Sequence, residues 1–253
     1  MKKISDSNSK YHSAKGISAS GLKVIFNQSV FHYVNYIWKP PTPAMNFGTA
    51  VHSIMLGDTT QEIVILPELN LRTKLGREER DNFYFANKKK TVISQSEHEA
   101  IEQIMEVLNK KPQARELIEN LTEIEESYYS EYDGVPVRIR PDGLKQDKYI
   151  IDIKTAQDST PIGFRRSIYN FCYHLQAVFY SDMLGYDPEE FKFIVVESKP
   201  PYNIEVYSMN EELIDRGRKA WQIAFNEYKE YYDNGSVNGC HWETRNENGI
   251  MIL

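Results

Sequence analysis

The stretch "RPDGLKQDKYIIDIKT", residues 140–155, carries two aspartates, Asp142 and Asp152, and a lysine, Lys154, into sequence that otherwise reads as two short strands. Successive side chains of a strand point to opposite faces. In "KYIIDIKT" that alternation puts Asp152 and Lys154 on one face, with Ile151 and Ile153 on the other. In "GVPVRIRPD", Val135, Val137 and Ile139 share a face opposite Arg138, Arg140 and Asp142. If the strands pair through a turn centred near Asp147, Asp142 faces Asp152. Opposed side chains of an antiparallel pair have Cβ atoms about 4.5–5.5 Å apart. Two carboxylates that close repel, and one takes up a proton unless a cation lies between them. A divalent metal is the natural occupant, since Mg²⁺ binds few carboxylates together with water and substrate phosphate. The bare spacing alone suits an exposed hairpin with solvated charges equally well. Two features favour the metal: the charges interrupt an apolar run, and Arg140-Pro141-Asp142 ends its strand abruptly where an ion would sit.

Composition narrows the setting. A chain of 253 residues that is 41% hydrophobic and 12% aromatic has enough apolar material for an ordered core, which excludes a disordered polypeptide. No apolar run approaches the roughly 18 residues of a membrane span. The start, "MKKISDSNSKYHSAKG", lacks the apolar segment of a signal peptide. Cys172 and Cys240 are too few for a disulfide framework or a four-thiolate iron–sulfur cluster. A cytoplasmic protein with no membrane partner is expected. The net charge of −6 argues only mildly against nucleic acid, because a local basic stripe suffices for phosphate contact. Arg72, Lys74, Arg77 and Arg80, the run Lys88 to Lys90, and the pair Arg165 and Arg166 are candidates, each also readable as solvated surface.

The pattern along the chain predicts mixed α/β architecture. "SASGLKVIFNQSVFHYVNYIW" (18–38) reads as two short helices, each preceded by a serine suited to an N-cap. Helical apolar spacing over 44–57 ends at Gly57, and "EIVILP" (62–67) reads as a strand. "EERDNFYFANKKK" and the run 96–120 read as helices, the second stopped or bent at Pro112. Strand-like alternation on both sides of Asp133-Gly134 is a hairpin signal, and 148–156 is a third strand of that meander. Residues 159–184 read as helical, "FKFIVVES" and "NIEVYSM" as strands, and 210–235 as a closing helix. The expectation is one domain over 1–253, with a central mixed sheet flanked by helices, a helical N-terminal portion, and flexible residues 1–15.

The ordered motifs "GISASGLKVIFNQSVFHY", "FGTAVHSIML", "RTKLGREERDNF", "RPDGL", "DIKT" and "YHLQAVFYSDML" resemble the RecE-like (exonuclease VIII) nuclease branch of the PD-(D/E)xK superfamily over roughly residues 11–235. Their co-occurrence in order is far more specific than any single one. The resemblance implies that Asp142, Asp152 and Lys154 form a catalytic set. It implies that His52, Asp142, Asp152 and the Ile153 carbonyl hold Mg²⁺ or Mn²⁺. Alone, His52 reads as a core histidine, and Glu126 fits a solvated strand residue as well as Glu123, Glu125 and Glu131 do; the resemblance places Glu126 near the metal or its water. Gln176 and Tyr180, four apart and so on one helix face, read alone as a core pair; the resemblance lays them over the active centre. His174 is expected to be structural. Arg72, Lys74, Arg77, Arg140 and Arg165 are expected to contact DNA.

The resemblance further implies 5′-to-3′ degradation of linear double-stranded DNA, leaving a 3′ single strand for a RecT-like annealing protein, by a ring-shaped homo-oligomer. A restriction-type endonuclease would share the chemistry but not this motif order. A non-catalytic DNA-end-binding or assembly module would need a degenerate core, whereas Asp142, Asp152 and Lys154 are all present.

Overall fold

The computed structural model describes residues 1–37, 39–58 and 60–237, with the backbone of 244–245 and 251–252; Cys240 lies outside the described residues. The chain begins with strand β1 (Lys2–Ile4) and helix α1 (Asn8–Ser13). Helices α2 (Ala19–Asn27) and α3 (Val30–Val34) follow, with the Ser18 and Ser29 hydroxyls accepting from backbone N–H groups of the first turn. Such caps contribute about 1 kcal/mol each. Helix α4 (Pro43–Leu56) starts on a Thr42 cap and stops at Gly57, whose left-handed φ of 66° favours glycine. Next come β2 (Ile63–Ile65), α5 (Lys74–Ala86), β3 (Thr91–Ile93), α6 (Gln95–Asn109) and α7 (Pro112–Glu119). Lys110 and Lys111 separate the last two helices, because Pro112 can open a helix but has no N–H to continue one.

Strands β4 (Glu123–Ile124), β5 (Ser127–Tyr132), β6 (Val135–Ile139), β7 (Gly143–Lys145) and β8 (Tyr149–Ala156) lead to α8 (Pro161–Asn170) and α9 (Tyr173–Leu184). The described chain then runs through β9 (Phe191–Glu197), β10 (Ile204–Tyr207) and α10 (Glu211–Asn234), with a short pair β11 (Thr244–Arg245) and β12 (Met251–Ile252) beyond. The principal sheet has the order β10-β9-β8-β7-β4. It is mixed: β8 and β9 are parallel, joined by the α8–α9 crossover that parallel pairing requires, and the other neighbours are antiparallel.

Helices cover both faces of this sheet. Ile150, Phe191, Phe193 and Val195 pack with α2, α9 and α10 in one core, while Ile151, Ile153, Ile194 and Val196 pack with α4 and α6 in the other. Asp152 and Lys154 share the parity of Ile150 and so face α9. A β-carbon on Gly48 would stand 3.1 Å from Thr155 Oγ1, so the small residue lets α4 lie close against β8.

Three expectations change. The meander is split between sheets: β5 and β6 form a tight hairpin at Asp133 (φ 48°) and Gly134 (φ 78°) and pair with β1, while β7 joins the principal sheet. Pro141, which has no ladder donor, lies at the crossing. The helical run 159–184 is two helices, broken at Phe171 and Cys172, where Cys172 takes a left-handed conformation (φ 49°). Residues 1–15, expected to be flexible, form β1 and α1. Asp6 accepts from the Ser127 and Tyr129 hydroxyls and Tyr11 is buried, which ties the segment down. Strand β3, parallel to β2, carries no alternation long enough to be read from sequence.

Candidate active site

The register Gly143↔Ile151 brings Asp142 alongside Asp152, as the hairpin spacing predicts. Asp142 Oδ2 accepts the Ile153 N–H at 2.7 Å and meets His52 Nε2, from α4, also at 2.7 Å. The other imidazole nitrogen, Nδ1, lies 3.3 Å from Glu125 Oε1. Glu125 sits between β4 and β5 with φ 52°, and its N–H donates to the Asp142 carbonyl. One donor atom from each of His52, Glu125 and Asp142 lies within 4.8 Å of the others. These residues, with Lys154, Thr155 and Tyr173, line a cavity of about 310 Å³.

This arrangement fits a divalent cation. Burial by itself pushes the His52 pKa down, yet the Asp142 charge and hydrogen bond, with Glu125 behind them, raise it to about 9. A field that keeps a buried imidazole protonated demands positive charge, and a metal ion answers the same demand. Two carboxylates and one imidazole are a donor set for a hard to borderline ion such as Mg²⁺ or Mn²⁺. The two carboxylates respond in opposite senses. Burial raises both, but His52 holds Asp142 below the usual range, whereas Glu125 stays raised by burial and by Asp142.

Asp152 stands apart from that three-residue cluster. It is 1% exposed; its Oδ2 meets the Lys154 ammonium at 2.5 Å, and its Oδ1 accepts from Gln176 Nε2 at 2.7 Å. Burial opposes charge on Lys154, but the Asp152 and Asp142 carboxylates outweigh it and raise the lysine pKa. The two carboxylates thus favour the charged form of Lys154 in the metal-free fold. Gln176 also accepts from Lys23, on α2, at 2.5 Å. Tyr180, one turn further along α9, is buried, and its hydroxyl meets the Arg140 backbone and Tyr11.

Other expected residues lie elsewhere. Glu126 is not in the cluster; its Oε2 is buried without a hydrogen-bond partner among the described residues, and Glu125 takes the place expected of it. Arg140 is 9% exposed. Its guanidinium is taken up by Glu125 Oε2 at 2.6 Å, the Asp6 carbonyl and the Ser127 hydroxyl, so it holds Glu125 in place instead of facing a phosphate. Arg72, Lys74 and Arg77 are exposed on and before α5; Lys74 pairs with Glu78, and Arg77 donates to the Leu71 and Arg72 carbonyls. Arg165 is exposed on α8. His174 is buried, with Nδ1 at 3.3 Å from the Ile168 carbonyl oxygen. Sequence reasoning missed Glu125, Lys23 and Tyr173. Nothing in the local pattern distinguishes Glu125 from Glu126, and only the three-dimensional fold brings α2 to the site.

A mixed sheet whose strand β8 carries Asp152 and Lys154, with Asp142 entering from the neighbouring strand, defines a PD-(D/E)xK-type nuclease fold. Residues 18–239 match the family described as "PDDEXK-like domain of unknown function (DUF3799)", and the chain belongs to that family. Among solved structures, the fold is similar to that of a protein from Eubacterium rectale described as a "putative exonuclease". The TM-score is 0.59 at 13% identity, over 94% of this chain and 91% of that one. The structure of SSO0001 aligns at a TM-score of 0.27 and 15% identity, over 70% of this chain and 86% of that one. Comparison with curated proteins gives no match. Among the described residues, no helix is long and apolar enough to cross a membrane.

Proposed function

We propose that this protein is a metal-dependent exodeoxyribonuclease that degrades linear double-stranded DNA from 5′ ends and leaves a 3′ single strand for a RecT-like annealing protein in the cytoplasm. The observation that carries the reading is the adjacency of two charge systems. His52, Glu125 and Asp142 converge on one cavity, and the Asp152–Lys154 pair adjoins it. Membership of a PDDEXK-like family and the name of the Eubacterium rectale protein support the nuclease part of this reading.

His52, Glu125 and Asp142 would hold Mg²⁺ or Mn²⁺, while Asp152, outside that cluster, would anchor Lys154 beside it. When bound, the ion supplies charge to polarise the scissile phosphate and lower the pKa of water. Lys154 supplies a fixed positive charge for the oxygens that gain negative charge during hydrolysis. Gln176 and Lys154 together fix the Asp152 carboxylate. Ile153 N–H fixes the Asp142 carboxylate, so neither needs to reorganise during the reaction.

Processivity calls for more than one subunit. A net charge of −6 gives little long-range attraction to DNA, and a ring-shaped homo-oligomer would concentrate basic residues around the duplex. The reading is tested with a duplex labelled at one end of each strand and challenged with excess unlabelled DNA once digestion has begun. Loss of the 5′-ended label with survival of the 3′ strand, continuing through the challenge, is expected. Preferential loss of the 3′-ended label contradicts the polarity, and immediate arrest contradicts enclosure.

A further inference from the structure

A second groove of about 470 Å³ opens beside the candidate active site and shares Lys154, Thr155 and Tyr173 with it. Its size falls in the range of about 300–1,000 Å³ typical of small-ligand sites. Phe164, Phe171 and Tyr173 line it, within a ladder of aromatic rings that continues to Tyr207. Phe171 stacks on Tyr173 at 5.5 Å and 29°, Tyr173 on Phe164 at 6.2 Å and 28°, and Phe164 on Tyr207 at 5.3 Å and 23°. The inner rung, Phe164, is 1% exposed, whereas the outer rung, Phe171, is 56% exposed.

Phe171 owes its position to the break between α8 and α9. Cys172 adopts φ 49°, a conformation disfavoured for a residue with a β-carbon, and is anchored by its thiol to Asn27 Oδ1 at 3.2 Å. A continuous helix would remove the corner that holds Phe171 and Tyr173 against each other.

Charge identifies the occupant. The Lys154 ammonium lies 4.8 Å from the Tyr173 ring centroid, at the junction of the two cavities. Arg166, on the exposed side of α8, lines the groove, and, after the Thr160 hydrogen bonds, its charge helps hold the Asp158 carboxyl below its ordinary pKa. Asp158 also lines it, its carboxylate accepting the Thr160 N–H. A flat π face open at one end, in a groove that Lys154 and Arg166 line and that adjoins the candidate active site, matches a nucleotide: a base for the ring and phosphates for the cations.

We propose that this groove is a single-stranded DNA subsite, in which an unpaired base of the strand entering the active site stacks on Phe171 while a flanking phosphate pairs with Arg166. The proposal rests on the nuclease reading for the identity of the strand. Inside a duplex both faces of every base are covered by stacking and only the end pair is open along the helix axis, so a ring beside the strand path reaches a base where the terminal nucleotides have separated.

The test uses the full chain with a chelator and no added metal, so that binding is read without turnover. The probe is a duplex with a short single-stranded end in which 2-aminopurine, quenched by stacking, is walked one position at a time. One position is expected to be strongly quenched on binding. Phe171→Ala should restore its emission and weaken binding by about 5- to 150-fold, the range of one base–aromatic stack. Phe171→Trp should retain both, showing that a ring and not phenylalanine packing is required. Arg166→Gln should lower the slope of log affinity against log salt by about 0.7, the value for one phosphate of a single strand. Absence of quenching at every position, or equal affinity and emission for the unaltered chain and Phe171→Ala, overturns the subsite. A separate arm with Mg²⁺ or Mn²⁺ asks whether the unaltered chain degrades the duplex. No degradation there, with quenching intact, contradicts the nuclease reading and not the subsite.

Discussion

Gln176 donates from Nε2 to Asp152 Oδ1 at 2.7 Å while its Oε1 accepts from the Lys23 ammonium at 2.5 Å, so both ends of one amide are committed and its orientation is fixed. Burial, and then the neighbouring Lys154 charge, lower the Lys23 pKa to about 7. Gln176→Leu leaves Asp152 Oδ1 without its donor and Lys23 without its acceptor. A buried polar group stripped of its partner costs about 1–3 kcal/mol. The expected result is a lower melting temperature and a reduced kcat at unchanged KM, read by thermal unfolding and steady-state kinetics. Unaltered stability and kcat would show that the amide positions nothing.

Glu125 and Glu126 are adjacent in sequence and have different surroundings. Glu125→Gln removes one of the three converging donors and should weaken metal affinity and activity by at least the 10- to 100-fold that loss of a mere supporting group costs. Glu126→Gln should leave metal affinity unchanged. Titration calorimetry with Mn²⁺ on both variants decides between them, and the reverse ranking would restore the expectation drawn from sequence.

His52 makes metal binding depend on pH. Its pKa in the metal-free fold, about 9, is raised above the ordinary 6.5. The imidazolium–carboxylate contact thus adds full stability to the metal-free protein below about pH 6.5 and loses it as pH rises through about 9. A metal needs the neutral ring, so at pH 7.5 binding should release about one proton per ion, and affinity should climb toward pH 9. Calorimetry in buffers of different ionisation enthalpy measures that proton. His52→Gln should bind more weakly and release none; equal proton release by both proteins would assign the proton to another group.

Arg140 was readable as a strand cation but not as a buried one. Its side chain is 6% exposed, that of Asp6 2%, and Glu125 Oε2 lies at 2.6 Å. Arg140→Met removes the cation beside Asp6 and Glu125 while leaving Asp6 its two hydroxyl donors and Glu125 its contact with His52, and breaking a buried pair costs about 3–5 kcal/mol. A large fall in melting temperature is expected, with any loss of activity following from displacement of Glu125. A stable variant with normal metal affinity and weakened DNA binding would instead make Arg140 a phosphate contact.

What the sequence made legible follows from the range of each signal. The serine caps of α2 and α3, the Asp133-Gly134 turn and the alternation of Asp152, Ile153 and Lys154 are local, and each stands where its chemistry requires. The pairing of Asp142 with Asp152 followed from turn length and strand period alone. Lys23 and Tyr173 were hidden because residues 23, 152 and 176 meet only after α2 and α9 pack on one sheet face. The break at Cys172 was hidden because no glycine or proline marks it and the helical composition continues through it. The split of the meander was hidden because a proline signals an edge without saying which sheet the next strand joins.

On the proposed reading, the Asp142, Asp152 and Lys154 constellation hydrolyses DNA ends with a bound metal. The most direct measurement follows release of acid-soluble nucleotides from labelled linear and covalently closed duplexes, with Mg²⁺, with Mn²⁺ and with chelator, for the unaltered chain, Asp142→Asn, Asp152→Asn and Lys154→Ala. Metal-dependent release from the linear duplex alone is expected. The two asparagine variants should abolish it with melting curves that still show a folded protein, and Lys154→Ala should lower it by orders of magnitude while DNA-end binding persists. Release that survives Asp152→Asn, or equal cutting of the closed circle, would contradict the account.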